Sequence, residues 1–243
     1  MLPPIRQSVP DSDPCYWCGG SANSDEHVPP KGIFPELKDI PERDLRFNLL
    51  TVRSCEEHNQ RKSNNDEYLM AVITPVLGNN EIAIKQTDTK IKRALERNDG
   101  SLERAAYIGL EEYSDVVNGQ ERTCAHGSID TKRFFDSIEP IARAIYRLHF
   151  DCRFSGKCLF FADFLDSGDH VEASSIRTFY QEVIRKDIPN WPSYATNSEV
   201  FYFQVDPIKR CGGLQLMAFT FFEGAQVLVG FLDPEVVAKP KCL

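Results

Sequence analysis

No apolar run in these 243 residues approaches the roughly 20 residues that a helical bilayer span needs, so no membrane role is expected. The opening Met1-Leu2-Pro3-Pro4-Ile5-Arg6-Gln7 lacks an apolar stretch behind a basic start. It does not read as a secretory leader, and the expected location is cytoplasmic. A basic excess is also missing: 28 Lys and Arg stand against 36 Asp and Glu, giving a net charge of −8. General nucleic-acid binders are basic, because neutralising phosphates releases counterions and supplies most of their affinity. Any nucleic-acid contact here must rest on a local basic patch, a bound metal or a partner. Internal repeats and low-complexity tracts are absent. The length suffices for a sizeable core and for two domains of unequal size.

Cysteine is not scarce. Eight are present, and an exported protein could pair them all. Without an export signal, the spacing Cys15-x-x-Cys18 followed by Cys55-x-x-His58 favours reduced thiols and a metal. Two residues between ligands let both side chains of a knuckle, or of a first helical turn, reach one tetrahedral ion. A closed, thiolate-rich set of this kind is a structural zinc site. The segment around it is small and polar, so zinc binding would supply much of its folding free energy.

Local patterns give the order of elements. Residues 1 to 14 hold four prolines and read as an extended lead-in. Cys15 to Gly20 is a tight turn in which Gly19-Gly20 supply positive φ. Residues 25–29 form a short strand ended by Pro29-Pro30. Asn48-Leu49-Leu50-Thr51-Val52 is a second strand. Ser54 caps a helix opening near Glu56, whose acidic first turn suits the helix dipole, and Pro75 limits it. Further on, Ile82, Ile84, Ile91 and Leu95 predict a helix up to Asn98-Asp99-Gly100. Residues 131–150 carry a stronger stripe of Phe134, Ile138, Ile141, Ala142, Ile145 and Leu148, with Pro140 predicting a kink or two abutting helices. Strands are expected at 158–164, 200–205, 214–222 and 226–231, a helix at 173–186, and a hairpin turn at Gly224-Ala225. The class is α+β: a zinc-stabilised unit over 1–75, then an α+β unit over 76–243 with antiparallel strands and helices on one side.

Glu26-His27-Val28-Pro29, then Asn48-Leu49-Leu50, then Cys55-x-x-His58-Asn59-x-x-Lys62-Ser63 resembles the HNH endonuclease family. The match covers about residues 15 to 68. The resemblance implies a ββα-metal finger that cleaves nucleic-acid phosphodiesters with magnesium or manganese, alongside the structural zinc. It implies His27 as general base, oriented by the Asn48 amide, with Glu26 and Asn59 as oxygen ligands of the catalytic ion and Lys62 near a phosphate. The chemistry fits these residue types. An unperturbed imidazole titrates near neutrality, hard divalent ions take oxygen donors, and an ammonium is a point charge for phosphate. The family more often carries Asp before the histidine. Strand alternation puts Asp25 on the side of His27, so Asp25 stays open as the alternative ligand. Many members have a cysteine where His58 stands, and zinc accepts either.

The expected partner is nucleic acid, DNA before RNA. By analogy with bacterial defence systems alone, residues 76–243 are expected to meet a regulatory ligand or partner, and a homodimer stays open. The competing reading is a catalytically silent zinc finger that docks nucleic acid or a protein. Elsewhere, Lys85, Lys90, Lys92, Arg93 and Arg97 read as a solvated helix face before a phosphate track. Arg143 and Arg147 read as salt-bridge formers. Cys152 and Cys158 read as core cysteines rather than a second metal site with Cys124 and His126. Phe201, Phe203, Phe219, Phe221 and Phe222 read as core.

Overall fold

The computed structural model describes residues 8, 10–117, 119–165, 173–210 and 213–233, with the side chains of 61–64, 98, 99, 117 and 173–177 outside that description. It begins with the two-residue turns around Cys15, followed by β1 (Ser24–Val28), β2 (Leu50–Ser54) and α1 (Glu56–Ile73). β1 and β2 pair antiparallel, with Glu26 opposite Val52 and His27 opposite Thr51. The second strand therefore starts two residues later than its apolar pattern predicts. Asn48 is the reason: its φ of 52° is left-handed, which a strand cannot accommodate. Cys55, not Ser54, occupies the N-cap position of α1, and its side chain makes no capping bond. Ser54 is instead the buried last residue of β2.

The expected helix at 82–97 is interrupted. α2 (Glu81–Gln86) passes into a π-helical turn at Thr87–Ile91, then α3 (Lys92–Glu96), a 3-10 turn and α4 (Ser101–Ala106). The π turn braces the loop after β1, because Gln86 donates to the Ile33 carbonyl at 2.9 Å and Lys90 donates to that of Gly32. Arg93 forks onto Asp39 at 2.8 and 2.9 Å. These members of the basic run are thus engaged in holding the 31–40 segment.

A long hairpin follows, β3 (Ile108–Val117) and β4 (Gln120–Ser128). Sequence patterning gave no strand there, because both of its faces are largely exposed and no apolar alternation marks it. α5 (Thr131–Phe150) is one unbroken helix through Pro140, capped by Asp130, whose carboxylate accepts from the Arg133 amide at 2.9 Å. β5 (Lys157–Ala162), α6 (Ala173–Glu182), β6 (Ser193–Asn197), β7 (Phe201–Val205), β8 (Gln215–Phe221) and β9 (Ala225–Leu232) complete the chain. β5 to β9 form an antiparallel sheet ordered β5-β9-β8-β7-β6.

All seven residues of β8 are buried. Met217, Phe219 and Phe221 join the main core with Ile138, Ile141 and Ile145 of α5, while Leu216 and Ala218 pack with Val183, Ile188 and Trp191 on the other face. The sheet is thus covered on both faces, not one. Phe201, Phe203, Phe219, Phe221 and Phe222 are buried as expected. The hairpin between β8 and β9 turns at Phe222 and Glu223, both with positive φ. Gly224 is required for a different reason, since a Cβ there would lie 2.4 Å from the Gly78 carbonyl oxygen.

The main core does not stop at Pro75. Tyr16, Val28, Val52, Tyr68 and Leu69 belong to the same buried cluster as Phe134, Ile145, Phe219 and Phe231. Polar bonds cross the same line: Arg43 forks onto Glu199, and the Asn197 amide donates to the Leu45 carbonyl at 3.0 Å. Among the described residues no helix is long and apolar enough to cross a membrane.

A thiolate-histidine cluster beneath a strand-helix seam

Cys15 and Cys18 lie on the first turn, which closes through Cys15 N–H to the Gly20 carbonyl at 2.8 Å and Gly19 N–H to the Cys15 carbonyl at 2.9 Å. Gly19, with φ of 76°, takes the left-handed position, and the Gly20 amide points at Cys18 Sγ from 3.4 Å. The turn is bonded to β2, because the Tyr16 amide donates to the Arg53 carbonyl at 3.0 Å. Cys55 and His58 sit one helical turn apart at the start of α1. The four ligand atoms lie within 4.8 Å of one another, with Cys55 Sγ 2.9 Å from His58 Nδ1 and Cys18 Sγ 4.0 Å from Cys55 Sγ. A tetrahedron with zinc bond lengths has edges of roughly 3.5 to 3.8 Å. The cluster can therefore hold a metal ion, and three sulfurs with one imidazole nitrogen form the donor set of a zinc finger. It is the one such group found among the described residues.

Charge placement within the cluster is uneven. Burial works against ionising Cys15, yet hydrogen bonds from the backbone of Cys18, Cys55 and Trp17 outweigh it and lower its thiol pKa. At Cys55 a backbone bond near His58 favours the thiolate, but burial and the neighbouring Cys15 leave the pKa raised. Trp17 stacks on His58, Arg143 of α5 lies 4.7 Å over the Trp17 ring, and Cys18 stays exposed.

Above the cluster, β1 sorts its side chains by face. Ser24, Glu26 and Val28 share one face and Asp25 and His27 the other; Glu26 and Val28 are buried, Asp25 is exposed, and His27 is half-buried with its Nδ1 enclosed. Glu26 is 4% exposed and accepts a hydrogen bond from the Tyr16 hydroxyl at 3.2 Å. Asn59, one position beyond His58 on α1, donates its Nδ2 to Ser24 Oγ at 3.1 Å. With that hydrogen bond the amide oxygen is directed away from Ser24. Asn59 thus meets the β1 face that carries Glu26 at Ser24, two residues before it. Asp25 is on the opposite face, ion-paired with Arg53 at 3.0 Å. Asn48 is exposed in the turn that feeds β2, beyond the Val28–Leu50 pair. The Lys62 side chain lies outside the described residues.

Burial and the facing Glu26 carboxylate push the Tyr16 phenol well above its ordinary value, so it remains a donor. Tyr16 and Trp17 escaped reading by ligand spacing, although two aromatics between the knuckle cysteines were the available signal. Among the described residues the other cysteines form no metal group. Cys158 is buried, its thiol pushed up to about 12 by that burial, whereas Cys152 is exposed beside the left-handed Asp151 that ends α5, against the expectation of a core position. Compared with models of protein families, with curated proteins and with solved structures, the chain matches none.

Proposed function

We propose that the chain is a metal-dependent endonuclease of the HNH type that hydrolyses nucleic-acid phosphodiester bonds, DNA in preference to RNA. The observation that supports this reading is that Glu26 lies on the β1 face of Ser24, the residue to which Asn59, next to His58 on α1, is hydrogen-bonded. A buried carboxylate and a directed amide oxygen are hard donors that suit magnesium or manganese and not the thiol-rich zinc set below. Bound there, such an ion would supply Lewis-acid stabilisation of charge on the phosphate and the leaving oxygen.

The remaining roles fall to the chain itself. His27 accepts the proton of the attacking water, Asn48 orients the imidazole, and Lys62 approaches a flanking phosphate. His27 and Glu26 occupy opposite faces of β1. Among the described residues β1 pairs only with β2, and His27, the more exposed of the two, is the one placed to meet a phosphate first. Asp25 is committed to Arg53, which favours Glu26 as the acidic ligand.

The test is a cleavage panel of plasmid, single-stranded DNA and RNA with zinc-loaded protein under magnesium and manganese. Cleavage is expected, with His27→Ala slower by about 10²- to 10⁴-fold. Equal rates for both proteins would refute the role of His27, and no cleavage of any polymer would refute the reading. The acidic balance, −8 overall, favours one competitor: a silent zinc finger that docks a partner. That protein would bind one zinc and no second divalent ion.

A further inference from the structure

Tyr16 occupies the position between two cluster cysteines, yet its hydroxyl leaves the cluster and ends on Glu26. Both side chains are nearly inaccessible, at 2% and 4% exposure. The backbone of Tyr16 is fixed at both levels: its amide bonds to β2, and the adjacent Cys15 is a cluster ligand. A carboxylate on a three-bond side chain has several rotamers, and one buried hydrogen bond from a fixed donor selects among them. Asn59 is fixed similarly, through Ser24, whose hydroxyl reaches the Ser54 carbonyl at 3.1 Å immediately before Cys55.

We propose that Tyr16 is a positioning residue that transmits the geometry of the zinc knuckle to the Glu26 carboxylate, so that the first metal site sets the shape of the second. This rests on the nuclease reading of Glu26 and Asn59. The structural site then does more than hold the turn against the helix. It helps to set where an oxygen ligand stands, through the Tyr16 phenol.

The test uses full-length, zinc-loaded Tyr16→Phe, which keeps the ring and removes only the hydroxyl. Zinc content by mass spectrometry should stay at one per chain. Manganese affinity, measured by electron paramagnetic resonance without substrate, should weaken roughly 10- to 100-fold. The apparent KM for manganese should rise while kcat at saturating manganese recovers. Unchanged manganese affinity with zinc retained overturns the proposal. A wild-type chain that binds zinc but no manganese overturns both this proposal and the nuclease reading, whereas tight manganese binding lost on Glu26→Gln but not on Tyr16→Phe overturns this one alone. Should Tyr16→Phe lose its zinc, the wild-type chain supplies the measurement. Substoichiometric manganese should broaden the assigned Tyr16 ring signals ahead of those of Tyr68 and Tyr107, and manganese binding that leaves Tyr16 unbroadened overturns the proposal.

Discussion

Trp17 lies stacked on His58, ring centroids 5.5 Å apart and planes inclined by 25°. The pair couples the cluster imidazole to α5, because the same indole lies 4.7 Å from the Arg143 guanidinium. Arg143 also bonds to Glu139 and to the carbonyls of Phe154 and Gly156, both within 3.0 Å. The cysteine-histidine cluster is therefore docked on α5 through Arg143, with Arg147 of the same helix paired to Asp13 just before Cys15.

Replacing Arg143 separates docking from metal binding. Arg143→Lys keeps the charge but loses the planar fork and its several acceptors. The expected cost is about 2 to 3 kcal/mol in urea unfolding, with zinc content unchanged. Loss of zinc in this variant would show that docking and binding are one event.

Removing a ligand acts more severely. Cys55→Ser should abolish stoichiometric zinc and lower stability by more than about 4 kcal/mol, in line with loss of a structural metal. A chelator strong enough to strip zinc from the wild-type chain should produce the same unfolding curve. A variant that is zinc-free but as stable as wild type would contradict the role assigned to the cluster.

Lys90 sets an expected pH dependence. Burial, assisted by Arg46, lowers its pKa from the ordinary 10.5 to about 8. The unfolded chain then holds a proton that the folded chain has released between these two values, so stability contributed by this residue rises with pH across that window and is lowest below it. Lys90→Met should remove this rise. Urea midpoints compared near pH 7 and about pH 9.5 should converge for the variant more than for the wild type, and parallel slopes would disprove the assignment.

Gly156 offers a steric test remote from any metal. A Cβ at this position would lie 1.9 Å from the Leu232 carbonyl oxygen, which is backbone of β9 and cannot swing aside. Gly156→Ala should cost about 1 to 3 kcal/mol and loosen the β5–β9 pair, as read by amide exchange at Lys157 and Leu232. Full protection there would exclude the clash.

What could be read from residue order depended on how local the deciding force is. The knuckle and α1 were legible because ligand spacing, glycine placement and an acidic first turn are local facts. The start of β2 was not, because Leu49 and Leu50 look alike in a pattern while Asn48 alone turns left-handed. The β3–β4 hairpin buries too little to leave an apolar alternation, and only Asn118-Gly119 marked it as a turn in the sequence. The second cover on the sheet was hidden because Val183, Ile188 and Trp191 lie outside α6, in turns whose packing partners are distant strands. At the candidate site, residue types and the shared face of Asp25 and His27 were legible, but which face of β1 turns to the core was not. Only the pairing of β1 with β2 shows Glu26 turned inward and Asp25 tied to Arg53.

Because the core runs unbroken past Pro75, a zinc ion held by the cluster would be a thermodynamic input to the whole fold. A ligand bound only by the native state stabilises it by about 2.7 kcal/mol when present at a hundred times its Kd. With Tyr16 and Phe219 in one buried cluster, that increment belongs as much to β7, β8 and β9 as to the knuckle. The melting temperature of the sheet is then a readout of free zinc, measurable without any signal from the metal site itself.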